Sequence, residues 1–259
     1  MDYEVFKARV RDLIQLDLGS YKQQQMQRRI LQWIARHDLK DFAGLFNMLK
    51  TDTNHRSEFI DYLTINTSHF FRDQSVFEYL TAIILPSIAG SQTRIWSAGC
   101  SIGAEPYSIA ILLLENKFKI KEIIATDIDE DSLKKAEAGV YYSNQIVQLP
   151  PSLLERYFTI VNERYHIKDV VKRQVRFYKH NLLTDPYEKG FDLILCRNVF
   201  IYFTSEIQSR LIKQFVDSLK PNGYFVVGSA ELIINPNLFG LERVSYCIYQ
   251  KRKSDKGVL

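Results

Sequence analysis

The sequence predicts an α/β protein: an all-helical N-terminal domain followed by a parallel sheet with helices on both faces. Three observations carry this. Residues 1–90 show apolar side chains at helical spacing only. From residue 93, short apolar runs of strand type alternate with helical segments, as a sheet covered on both faces requires. The first of these runs ends in the glycine turn of IWSAGCSIGAEPYSIAI, residues 95–111, which reads as strand, turn and helix start.

The helical domain is expected over residues 1–88. In YKQQQMQRRILQWIARHDL, Met26, Ile30, Trp33, Ile34 and His37 form one apolar stripe, while Gln25, Arg29, Gln32 and Arg36 line the other side with Arg28 beside them. DFAGLFNMLK and HRSEFIDYL read as two further amphipathic helices. Asp73 has the character of an N-cap, for a helix ending near Pro86. AGSQT then reads as the linker to a second domain, residues 89–259.

In that domain TRIWSAG, KEIIATD, VRFYKHN, FDLILCRN and GYFVVGSAE are the strands, and helices begin near Glu105, Asp129 and Ser205. LKPNG reads as a turn at a helix end, and LERVSYCIYQKR as one or two closing strands. The rhythm breaks at about residues 140–174, where a small inserted subdomain is expected. Between TIV and YHIKDVV the sole evident turn is Asn162-Glu163, so a tight hairpin is predicted there.

Composition narrows the class. With 46% hydrophobic and 25% charged residues the chain reads as a soluble globular protein. No apolar run approaches the ~18 residues of a membrane span, and MDYEVFKARVRDL has no signal-like core. Cys100, Cys196 and Cys247 form no C-x-x-C pair, which argues against a disulfide framework or a structural zinc site and suits a reducing cytoplasm. The five histidines include no H-x-x-x-H pair, so no catalytic metal is expected. The net charge of +4 is matched by residues 21–40 alone, where Lys22, Arg28, Arg29, Arg36 and Lys40 face only Asp38. An acidic partner or nucleic acid is implied.

The glycine turn selects the ligand. Gly99 and Gly103 allow close backbone approach, and Pro106 suits the first turn of the next helix. Asp127 ends the second strand 24 residues after Gly103, near the spacing at which an acid binds a ribose diol. Glu105, at the helix start, would repel a dinucleotide's diphosphate and suits the ammonium of an amino-acid ligand. S-adenosylmethionine is therefore favoured over NAD. Asn198 stands at the end of the fourth strand with Tyr202 one turn later, while Asn66, Ser68 and Arg72 form a further polar cluster.

Taken together, TINTSHFFR, IWSAGCSIGAEPYSIA, IIATDID, KHNLL and FDLILCRNVFIYF resemble the CheR-type chemotaxis receptor glutamate methyltransferases over essentially the full length. The resemblance implies a Rossmann-like class I methyltransferase domain carrying a small antiparallel β-subdomain, preceded by a helical domain. It implies S-adenosylmethionine as methyl donor and S-adenosylhomocysteine as product, held by Asn66, Ser68, Arg72, Glu105, Asp127, Asn181-Leu182 and Asn198-Val199 beside Gly99. Arg72 and Tyr202 are expected to position carboxylates near the methyl group. The implied partner is the cytoplasmic helical bundle of a chemoreceptor, docked by Arg28, Arg29 and Arg36, with no nucleic acid, no membrane insertion and a monomeric enzyme. The glycine-free, short hairpin argues against a receptor-tail tethering peptide. Ala104 departs from the glutamate that members often carry there. A nucleic-acid methyltransferase is the alternative, although CRNVFIYF stands where an N/D-P-P-Y/F-like motif would be; an inactive cofactor-binding regulator is another.

Overall fold

Helix α1 (Tyr3–Ile14) starts where Asp2 accepts a hydrogen bond from the Val5 amide at 2.9 Å, the N-cap arrangement that satisfies an otherwise unpaired donor. α2 (Gln23–Arg36) buries Met26, Ile30, Trp33 and Ile34, the expected stripe; His37 is its half-buried C-cap, stacked on Trp33. α3 (Phe42–Thr51), capped by Asp41, and α4 (Thr53–Thr64) complete the helical set, with Phe59 and Tyr62 of α4 against the Trp33 ring.

The computed structural model describes residues 1–64 and 68–253. Two compact units divide the chain: residues 1–66 with 202–209, and residues 67–201 with 210–259. AGSQT lies inside the second of these, between α6 and β1 as defined below.

The second unit opens with α5 (Gln74–Tyr79), a π-helical turn (Leu80–Ile84) and α6 (Leu85–Ile88). The expected end near Pro86 is met: the helix closes at Ile88, two residues further on. Pro86 has no amide to donate, and the π turn, in which the Leu85 amide reaches back to the Leu80 carbonyl, widens the backbone just ahead of it. Asp73 does stand at the N-cap position, but its side chain makes no capping bond and turns elsewhere.

The sheet follows the predicted alternation: β1 (Arg94–Ala98), α7 (Ala104–Glu115), β2 (Glu122–Asp127) and α8 (Glu130–Ala138). The insert then supplies β3 (Val140–Tyr141), α9 (Pro151–Tyr157), β4 (Phe158–Val161), β5 (Arg164–Ile167) and α10 (Asp169–Lys172). After it come β6 (Val175–Lys179), β7 (Phe191–Cys196), α11 (Ser205–Ser218), β8 (Leu219–Val227), β9 (Leu241–Ser245) and β10 (Ile248–Lys251).

The order β6-β2-β1-β7-β8-β10-β9 is parallel through β8, and the last two strands are antiparallel. Its chain order reverses between β1 and β7, the place where an open sheet of this kind presents a ligand crevice. LKPNG does follow the end of α11, as expected, but it forms a bulge within β8 rather than a turn ahead of it. Phe191 pairs with Leu219 and Leu193 with Tyr224, so three surplus residues loop out, with Asn222 at φ +63°. The insert is an antiparallel sheet, β3-β5-β4, whose β4–β5 hairpin turns on Asn162 and Glu163, both at positive φ as predicted for a tight turn. Among the described residues no helix is long and apolar enough to cross a membrane.

Candidate functional site

The turn between β1 and α7 is built to bring backbone close to another loop. Gly99 has φ +74°, and a Cβ added there would stand 2.6 Å from Val199 Cγ2. The loops after β1 and β7, which carry two of the expected ligand residues, therefore touch at a point that excludes any side chain. Both the Gly99 and Cys100 amides donate to the Thr126 carbonyl, tying the turn to the end of β2.

Asp127 lies at that end and is buried. One carboxylate oxygen accepts from the Ser101 amide at 2.7 Å, the other from the Asp129 amide at 3.0 Å. Burial nevertheless dominates, pushing its pKa up to about 6, against the lowering effect of those two donors. An ionised carboxylate has about four acceptor positions, so capacity remains for a hydroxyl donor.

At the start of α7, Glu105 is not a lone carboxylate. Its Oε1 accepts from Ser97 Oγ at 2.7 Å and its Oε2 from Arg197 Nη1 at 3.0 Å. Arg197, only 3% exposed in its side chain, reaches on to Asp73 Oδ2 at 2.7 Å and to the Arg72 carbonyl at 2.8 Å. Ser229 donates to the same Asp73 oxygen at 3.1 Å. This explains why Asp73 does not cap α5. Two carboxylates share one guanidinium, leaving the cluster with a formal charge of −1.

The turn after β7 is held by another acid. Asn198 has φ +61°, and its amide donates to Glu231 Oε2 at 2.7 Å. Ile201 N and Gly228 N also donate to this buried carboxylate, whose pKa is raised by burial. A Cβ on Gly228 would meet Glu231 Oε2 at 2.6 Å and the Asn198 amide at 2.9 Å, so the clamp depends on that glycine. Arg197, Asp73, Ser97 and Glu231 were not singled out from sequence for these roles. Arg197 lies inside the quoted FDLILCRNVFIYF and Asp73 directly follows TINTSHFFR, but a pairing across 124 residues leaves no local signal.

The other expected residues fall as follows. Asn181 follows β6, and its side-chain oxygen accepts from the Leu183 amide while Asp185 accepts from its own amide; Leu182 is buried beside it. Ser68 is half-buried just before the Phe70–Phe71 turn, where the Phe71 amide donates to Ser108 Oγ at 3.0 Å. Arg72 contributes its carbonyl to Arg197. Asn66 lies outside the described residues. Tyr202 closes a 3-10 turn (Phe200–Tyr202) and belongs to the helical unit, where its carbonyl accepts from the Lys22 amide at 2.8 Å. Cys100 and Cys196 are buried, with thiols pushed well above their usual range, as befits packing residues.

In the helical unit Arg28 and Arg36 are exposed, but Arg29 is half-buried. It donates to the Tyr62 carbonyl, and its guanidinium stands 4.6 Å from the Tyr62 ring centre, with that of Arg36 5.2 Å away. The basic face is thus organised around one tyrosine.

Comparison with known proteins fits this geometry. Residues 1–64 match the CheR methyltransferase all-alpha domain, and residues 66–247 match the CheR methyltransferase SAM binding domain. A chemotaxis protein methyltransferase of Listeria innocua is 39% identical over 96% of this chain and 97% of its own. One from Borreliella burgdorferi is 35% identical over 84% of this chain and 83% of its own. A third, chemotaxis protein methyltransferase 1 of Pseudomonas aeruginosa, is 32% identical over 90% and 91%. With both segments matched and such relatives along nearly their whole length, the chain belongs to the CheR methyltransferase family.

Proposed function

We propose that this protein transfers a methyl group from S-adenosylmethionine to glutamate side chains of chemotaxis receptors, forming methyl esters and releasing S-adenosylhomocysteine. The observation that carries the reading is the Asp73–Arg197–Glu105 cluster. Its net −1 charge at the start of α7 would repel a diphosphate and is neutralised by an amino-acid ammonium. Asp127, at the end of β2 and bonded to the Ser101 amide of the glycine turn, suits the ribose diol.

The cofactor supplies an electrophilic methyl on a sulfonium. Asn66, Ser68, Arg72, Glu105, Asp127, Asn181, Leu182, Asn198 and Val199 are the residues we assign to holding it, with Gly99 giving room for close approach. A receptor glutamate, with an ordinary pKa of about 4.3, is ionised at neutral pH and needs no general base. The task of Arg72 and Tyr202 is therefore alignment of the carboxylate and exclusion of water.

Arg28 and Arg36, with Arg29 in support, steer the acidic helices of the receptor bundle. Docking falls to the helices of residues 1–88, and methyl transfer to residues 89–259 together with Asn66, Ser68 and Arg72. The enzyme acts in the cytoplasm, as a monomer, and without a tethering peptide. Transfer of radiolabelled methyl to receptor cytoplasmic fragments tests the reading. The label should leave as methanol in mild base. Base-stable label, or label on nucleic acid instead, would overturn it.

A further inference from the structure

The helical unit holds a second constellation with its own chemistry. His37, at the C-cap of α2, and His55 and Glu58, on α4, each bring one ligand-capable atom within 4.8 Å of the others. His55 and Glu58 are three residues apart and so share one face of the helix. The two imidazole rings stand 5.9 Å apart at 81°.

Each ring is oriented by an acceptor behind it. His37 Nδ1 is 3.1 Å from the Trp33 carbonyl oxygen, and the ring stacks on the Trp33 indole at 4.2 Å. His55 Nδ1 is 2.8 Å from Asp52 Oδ2, while Asp52 Oδ1 accepts from the His55 amide at 3.1 Å. A neutral histidine that donates from Nδ1 carries its lone pair on Nε2. A backbone carbonyl behind one imidazole and a carboxylate behind the other is the outer-shell arrangement that fixes metal-binding histidines.

We propose that His37, His55 and Glu58 bind a borderline divalent transition-metal ion of the Zn2+ class, stapling the C-terminal end of α2 to α4. Two imidazoles and one carboxylate suit such an ion, and Mg2+ and Ca2+, which prefer oxygen ligands, are disfavoured. Tetrahedral bonds of 2.0–2.1 Å place ligand atoms about 3.3 Å apart. Binding would draw the cluster in to that spacing, with the exposed Glu58 side chain turning toward the two rings. The site is distinct from the methyl-transfer crevice, and it is a structural staple because its ligands include no residue assigned to cofactor or substrate. The spacing argument against H-x-x-x-H pairs speaks only to ligands on one helix, whereas His37 and His55 come from two.

The test uses the full-length protein, stripped by chelator and titrated with Zn2+ alone by calorimetry. One site per chain is expected, with an affinity of micromolar or better and no competition from millimolar Mg2+. His37→Gln and His55→Asn should each weaken that site at least tenfold, and Glu58→Gln should weaken it measurably. His166→Ala, in the inserted sheet, should leave it unchanged. Circular dichroism of each variant checks that the fold persists. Co2+ should give an intense visible band in the parent that His55→Asn abolishes, and Zn2+ should raise the Tm of the parent but not of that variant. Zn2+ affinity within twofold of the parent in both histidine variants overturns the proposal, as does the absence of a Co2+ band in the parent.

Discussion

Arg197 bonds Glu105 at 3.0 Å and Asp73 at 2.7 Å with its side chain only 3% exposed, so the end of β7, the start of α7 and the entry to α5 meet in one ion cluster. Removing the guanidinium strands two partly buried carboxylates without their shared cation. Arg197→Met should therefore destabilise the fold by about 3 kcal/mol, measured by urea unfolding. Arg197→Lys should recover part of that loss, because one ammonium cannot repeat the fork that reaches both acids. A loss below about 0.5 kcal/mol would show that the cluster is not coupled to folding.

Cofactor affinity should depend on the ionisation of Asp127. A ribose diol donates to a carboxylate, and this one is held at about 6 by burial. S-adenosylhomocysteine binding should weaken as pH falls through 6. Asp127→Ala and Arg72→Ala should each weaken it about tenfold or more at pH 7.5, and Asp127→Asn should flatten the pH profile. Stability has its own sign. The folded pKa lies above the unfolded value of about 3.9, so the contribution of Asp127 is complete below pH 4 and is lost as pH rises through 6. Calorimetry from pH 5 to 8 checks the affinity, and urea melts over pH 3.5–7 of parent and Asp127→Asn check the stability.

The contact of Gly99 with Val199 should be a coupled pair. Gly99→Ala places a methyl 2.6 Å from Val199 Cγ2 on a residue already at φ +74°, so it should cost more than 1 kcal/mol and weaken cofactor binding. Val199→Ala in that background should restore part of the loss, since it removes the clash and leaves the backbone strain. Additive effects in the double-mutant cycle would show that the two loops are independent.

On the basic helix, exposure separates the arginines. Arg28→Glu with Arg36→Glu should slow receptor methylation and reduce its salt dependence, leaving S-adenosylhomocysteine affinity unchanged. Arg29→Glu should behave differently: burial lowers the Arg29 pKa and its guanidinium is bonded to the Tyr62 carbonyl, so that variant should also lower Tm. An unchanged methylation rate at low salt in the first double variant removes α2 from docking.

The hairpin gives a negative expectation. Its turn, Asn162-Glu163, is as short as a hairpin allows, with Val161 paired to Arg164. Isolated receptor-tail peptides should therefore show no micromolar binding by calorimetry. Micromolar affinity abolished by substitutions in residues 158–167 would make the insert a docking site.

Particular residues show where reading the sequence stopped. Period alone placed Met26, Ile30, Trp33 and Ile34 in a core, because a helix repeats locally and burial follows the repeat. The alternation of strands and helices, the glycine turn and the insert were legible for the same reason: each is dictated within a few residues by propensity, turn chemistry or spacing. Asp73 was read correctly as a helix-entry position and wrongly as a capping side chain, since the competing bond comes from Arg197, 124 residues away. The bulge at LKPNG was equally hidden, because the residues are turn formers and only pairing with β7 decides that the strand continues across them.

The sequence by itself determined the elements, the ligand-binding turn and the family, since these rest on local stereochemistry and on motifs contiguous in the chain. Tertiary structure alone decided which polar groups meet: Glu105 with Arg197, Glu231 with the amides of the Asn198 turn, Arg29 with the Tyr62 carbonyl, and His37 beside His55. Such pairings depend on distances of a few ångströms between segments far apart in sequence, and Coulomb energy and hydrogen bonding in a dry interior are set by those distances.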